Sequence, residues 1–117
     1  MQYMMLIYME EGAQTDAERA KCYEDSAAYA WQLHSKGQYL TCAPLHPTST
    51  ATSVRAVEGK HVVTDGPFAE TREHLGGFFL IDAPNLDDAI EIAKQLPAGA
   101  YGTVEIRPVI EVSGLPA

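Results

Sequence analysis

The acid–base and anion-binding chemistry open to this sequence rests on a few side chains: Asp65, Arg55, Glu105, Arg107 and a polar run that includes Glu70 and Thr71. Asp65 ends an apolar stretch and precedes Gly66-Pro67. An aspartate so placed accepts backbone N–H bonds in a turn. Where burial lifts its pKa towards the working pH, it can instead act as general acid or base. Arg55 and Arg107 lie in stretches patterned as strands, and Glu105 shares a parity with Arg107. The two therefore emerge on one face, either as a structural ion pair or as an anion clamp whose planar guanidinium takes a carboxylate bidentately. The predicted pocket lies between residues 65–77 and the polar parity of the sheet, with Asp65 and Arg55 as its main polar pair.

Glu70 and Thr71 follow Phe68, an aromatic expected to anchor the loop inward. They rim the pocket, with Thr71 orienting a ligand, or they remain in solvent with Arg72 and Glu73. His34 falls inside the apolar arc of a long helix, as a satisfied core residue or as a substrate-binding group. His46, His61 and His74 share no metal spacing with it, and no Cys/His cluster exists, so no metal is expected. Gly76-Gly77 precedes a strand instead of opening a helix, which excludes a phosphate loop. The pair marks a place where another chain or a ligand can approach the backbone. No G-x-S-x-G elbow is present. Acid–base chemistry by a carboxylate, with an arginine holding the anion, needs no cofactor, and none is expected.

The elements that must position these residues follow from patterning. Residues 2–9 form an unbroken apolar run suited to a strand covered on both faces. Thr15-Asp-Ala-Glu18 forms a capping box that opens a long helix ending at Gly37. The apolar arc of that helix includes Cys22, Tyr23, Tyr29, Trp31 and Leu33, wider than one sheet face requires. Tyr23, Tyr29 and Trp31 are expected in the core. A strand follows at 38–43, then a hairpin through Glu58-Gly59, then a strand at 75–81. Asn85 caps a second helix with Leu86, Ala89, Ile90, Ala93 and Leu96 on its inner stripe. A last strand spans 103–112. This order predicts an α+β, ferredoxin-like βαββαβ antiparallel sheet with both helices on one face. The other face would be uncovered, yet the first strand is apolar at both parities. Pairing two such sheets face to face hides it, so a homodimer is expected.

Sixteen acidic against eight basic residues give a formal charge of −8. No basic cluster exists to neutralise phosphates, which argues against nucleic acid and against an anionic membrane surface. The N-terminal apolar run lacks a basic lead and stops at Glu10, so it is neither signal peptide nor membrane span. Cys22 and Cys42 are expected as free thiols in a reduced, cytoplasmic setting.

The stretch from Asp65 to Gly77, Asp-Gly-Pro-Phe-Ala-Glu-Thr-Arg-Glu-His-Leu-Gly-Gly, resembles the DGPF signature of the YCII-related family. Val54-Arg55 upstream, Leu86-Asp-Asp-Ala89 and Glu105-Ile-Arg-Pro108 extend that resemblance over nearly the whole chain, as one domain from 1 to 117. It implies a dimeric α+β barrel. Some relatives in that family are lyase-like or dehalogenating enzymes thought to use a His/Asp pair. Here Ser26 occupies the region of the helix where they carry histidine, and His34 lies three residues before Gly37. Three functions remain open. One is a small-molecule lyase, isomerase or hydrolase acting on an anionic metabolite, with Asp65 as acid or base. Another is a non-catalytic small-molecule binder. The third is a protein-interaction module linked to transcription regulation through its outer helical face.

Overall fold

The computed structural model describes residues 1–116. In β1 (Gln2–Met9), Tyr3, Met5 and Ile7 are buried, whereas Met4, Leu6 and Tyr8 are only partly covered. The two parities thus meet different surroundings. β1 lies inside a four-stranded sheet with β2 (Tyr39–Pro44), β5 (His74–Asp82) and β6 (Thr103–Pro108) in the order β2-β5-β1-β6, every neighbouring pair antiparallel. With α1 (Asp16–Ser35) after β1 and α2 (Leu86–Lys94) before β6, this is the expected ferredoxin-like βαββαβ fold.

The capping box forms as predicted: the Glu18 N–H donates to Thr15 Oγ1 at 3.1 Å, and the Thr15 N–H donates to Glu18 Oε1 at 3.0 Å. Gly37, at φ +70°, turns the chain out of the helix. Only Cys22, Tyr29 and Leu33 of α1 are buried. They form one narrow stripe, and at the helical period Tyr23, Ala27, Trp31 and His34 fall away from it. The expected core roles of Tyr23 and Trp31 are therefore corrected. Trp31 is 72% exposed and Tyr23 about half exposed, because a helix on a single sheet buries one stripe.

Asn85 caps α2 by accepting from the Asp88 N–H at 2.9 Å. The inner stripe is Ala89, Ile92 and Leu96; Leu86 faces solvent and Ile92 replaces it. Tyr29 fixes that rotation, its hydroxyl donating to the Ile92 carbonyl at 2.9 Å in a buried setting. Both helices pack on Tyr3, Met5, Ile7, Phe79 and Ile81, on one face of the sheet. The last strand stops at Pro108, short of 112, and Ile110 and Val112 are exposed. Cys22 and Cys42 are free thiols. Among the described residues no helix is long and apolar enough to cross a membrane.

Two glycines are demanded by close approach. A Cβ on Gly77 would lie 2.9 Å from the Ala43 carbonyl oxygen, and one on Gly102 would collide with the Tyr8 carbonyl. The chain approaching Gly77 is thus the protein's own β2.

β3 (Thr52–Val57) and β4 (Lys60–Asp65) form a separate two-stranded sheet. Their turn has positive φ at both Glu58 (48°) and Gly59 (79°), the requirement of the tight hairpin that the sequence signals. This arm stands off the body. The radius of gyration is 16.0 Å, against roughly 13 Å for a compact chain of this size.

Candidate functional site

The register of the main sheet assembles its open face from named residues. Leu6 stands opposite Phe78 on one side and Glu105 on the other; Met4 stands opposite Leu80 and Arg107; Tyr8 stands opposite Leu75 and Thr103. Residues paired directly across strands share a face. The result is an apolar floor of Met4, Leu6, Phe78 and Leu80, with a carboxylate and a guanidinium along one edge. Glu105 Oε2 and Arg107 Nη1 lie 3.5 Å apart, both substantially exposed. The shared parity read from the sequence therefore does bring Glu105 and Arg107 together, and Val104 and Ile106 pack against the core as expected.

The arm does not bring Asp65 and Arg55 together. Asp65 pairs with Thr52 and Arg55 with Val62, three positions along the ribbon and of opposite parity, so their side chains leave from opposite faces. The Arg55 guanidinium lies 5.0 Å from the centroid of the Phe68 ring, a cation–π contact. Phe68 does not anchor the loop inward as the sequence suggests. The residue is 70% exposed, because in this chain it stacks on the arm. Asp65 is exposed at the root of the arm. There the neighbouring Gly66 N–H donates to the Ala51 carbonyl at 2.8 Å, and Ser53 Oγ donates to the Gly66 carbonyl at 2.7 Å. Both bonds run through the Gly66 backbone, and neither engages the Asp65 carboxylate. Glu70 is exposed, and the Thr71 hydroxyl donates to the Glu73 carbonyl within its own loop.

His34 is neither in the core nor near the open sheet face. It is exposed on the outer side of α1, its ring edge-on to Trp31 at 5.3 Å between centroids. The predicted pocket is thus divided: Glu105 and Arg107 on the sheet, Arg55 and Asp65 on the arm, His34 behind the helical layer.

A polar cluster that the sequence did not single out forms where β1 ends and β5 and β6 begin. Glu10 accepts from Arg72 Nε, and Glu73 Oε1 accepts from Thr103 Oγ1 at 2.8 Å. Glu11 Oε1 accepts from the Thr48 N–H at 2.7 Å. Hydrogen bonds from Thr48, side chain first and then backbone, hold the Glu11 carboxyl below the usual carboxylate range, and nearby His74 acts in the same direction. The only local signal was the Glu10-Glu11 pair ending the first apolar run; their partners lie at least 37 positions away in sequence. These contacts tie the strand ends together. Among the described residues no cluster of His, Cys, Asp and Glu could hold a metal ion.

On the helical side of the sheet, a groove of about 450 Å³ runs between α1 and residues 97–101. Its polar groups are engaged: Glu18 in the capping box and with the Tyr101 hydroxyl, Lys21 with Asp25 at 3.0 Å. It offers no convergent free donors to a ligand. The open sheet face, with Arg107 at its edge, is the better surface.

The fold is similar to that of a 5-chloro-2-hydroxyhydroquinone dehydrochlorinase from Burkholderia phenoliruptrix AC1100, solved in complex with 2,5-dihydroxybenzoquinone. The TM-score is 0.57 at 15% identity, over 96% of each chain. At that identity the likeness concerns the fold. An uncharacterised protein of Rhizobium meliloti strain 1021 is 36% identical over 114 residues, covering 93% of this chain and 92% of its own. The YCII-related domain matches residues 1–113, from β1 to beyond β6, and with these shared residues and this element order the chain belongs to the YCII-related domain family.

Proposed function

We propose that the protein is a homodimer, paired through the open faces of its four-stranded sheets, that binds and transforms a small anionic metabolite without a cofactor. The observation that carries the proposal is the open face itself. Met4, Leu6, Phe78 and Leu80 form an apolar floor that two helices leave uncovered, and one guanidinium stands at its edge. Covering that floor removes water from around Arg107 and Glu105, where their electrostatic interactions strengthen. Arg107 then offers a planar donor pair to a carboxylate or phenolate, and Glu105 orients it. Arg55 and, from the loop, Glu70 and Thr71 are proposed to contribute further contacts. Asp65 is proposed as the acid–base group, a role that requires a second protomer to cover it. The dehydrochlorinase of like fold supports the choice of a small hydroxylated or anionic ring as substrate class.

The test is thermal-shift and calorimetric titration with benzoate, 2,5-dihydroxybenzoquinone and neutral benzamide. The unaltered protein is expected to bind the two acidic probes and ignore benzamide. In Arg107→Ala, affinity should fall at least tenfold, about the value of one charge-assisted contact. Equal binding of all three probes, or unchanged affinity in the variant, would remove Arg107 from the site.

A second reading rests on its own observation, the exposed stripe of Tyr23, Trp31 and His34 on the outside of α1. That stripe suits a protein partner, and a Trp31→Ala variant that leaves probe binding intact but loses such a partner would favour it.

A further inference from the structure

We infer that the β3–β4 arm is a clasp that docks on a second copy of this chain, an inference that rests on the pairing proposed above. Of residues 52–65, only Ser53 is even half-buried. A two-stranded hairpin alone in water is marginally stable at best, and three or more strands or a packing partner are needed to hold one. Here the register places Val54 opposite Val63, with Ala56–His61 and Thr52–Asp65 on the same face. Val54 is 63% and Val63 65% exposed, so the apolar centre of the ribbon faces solvent in the isolated chain. The other face carries Arg55, Val62 and Val57, with Phe68 stacked on the guanidinium. Such a ribbon is built to be covered.

The area of the open sheet face indicates what covers it. Four strands averaging about seven residues span roughly 19 by 24 Å, or ~450 Å² in plan, against ~800 Å² per partner in a stable interface. The arm adds roughly 10 by 20 Å on each face. A second copy meets both needs at once: two sheets pair, and each arm reaches the other protomer, burying its Val54–Val63 face. The two-fold arrangement makes each contact count twice. The arm carries Arg55 and Lys60 against Glu58 and Asp65, a balanced set in a chain of formal charge −8, so it can approach a second acidic body without the repulsion that other surfaces meet.

The test places a photoactivatable benzophenone side chain at position 63. Light-isotope and heavy-isotope protein are then unfolded and refolded together and irradiated. Cross-linked peptides joining one light and one heavy chain are expected. Cross-links confined to a single isotope in a mixed dimer would overturn the clasp while leaving the pairing intact. A monomer mass for the unaltered protein by light scattering would overturn both. As a second readout, the double variant Val54→Asp with Val63→Asp should raise the dimer dissociation constant about 100-fold, charge having been set in a desolvated patch. Its helical circular dichroism should be unchanged, since the arm is separate from the core. An unchanged dissociation constant would likewise refute the clasp.

Discussion

Replacing Leu6 by alanine separates a pairing surface from a merely tolerant one. Leu6 projects from the centre of the open face, between Phe78 and Glu105, and only the opposite parity of β1 enters the core. The substitution removes three carbons, each worth ~0.8 kcal/mol when fully buried, or ~2.4 kcal/mol per side chain. A two-fold interface buries it twice, for ~5 kcal/mol. Leu6 is already partly covered in the single chain, so about half of that is the lower bound, and roughly 2–5 kcal/mol is the range to expect from dimerisation. Since ~1.4 kcal/mol is a factor of ten, the dissociation constant should rise between roughly 30-fold and 3,000-fold. Sedimentation equilibrium across a micromolar dilution series measures it, with circular dichroism on the same samples. An unchanged constant would refute the pairing. So would loss of the helical signal together with the dimer, because Leu6 would then belong to the core.

Three other outcomes can be measured. Gly102→Ala should cost ~1–3 kcal/mol, since its Cβ meets the Tyr8 backbone, which cannot move aside as a flexible side chain would; a fall in Tm of roughly 4–12 °C would show it. Glu11 has its carboxyl held below the usual range by Thr48, so it stabilises the fold above the unfolded-state carboxylate pKa, and that contribution is lost as pH falls through the lower folded value. Glu11→Gln should therefore flatten the acid limb of a Tm-against-pH curve, and an unaltered acid limb would contradict the assignment. On the proposed acid–base role, Asp65→Asn should abolish turnover while Tm stays within a few degrees; a stability loss of a few kcal/mol with probe binding unchanged would leave Asp65 as a turn residue only.

The sequence carried the fold through local signals that the structure repeats: the Thr15–Glu18 capping box, the Asn85 cap, the Glu58-Gly59 turn and the alternation of Val104 and Ile106. It misled where a pattern has more than one way to be buried. The apolar arc of α1 is wide, but a single sheet covers one stripe, which left Trp31 and His34 outside. Ile92 escaped notice because another stripe of the same helix, through Leu86, fits the helical period equally well, and packing chose Ala89, Ile92 and Leu96. The pairing of Glu105 with Arg107 was legible because both lie on one strand. Arg55 and Asp65 looked adjacent on a hairpin, but their parity places them on opposite faces, and parity depends on a register that the turn sets. The Glu10–Arg72 and Glu73–Thr103 contacts, with Glu11 on Thr48, were illegible because each joins segments distant in sequence.

A dimer holding a small anionic ligand at Arg107 is tested most directly by native mass spectrometry of the protein as purified. The expected species has twice the 12.7 kDa chain mass and carries a retained small molecule, whereas Arg107→Ala gives the dimer without it. A bare 12.7 kDa monomer, in the unaltered protein at micromolar concentration, would contradict both the pairing and the site.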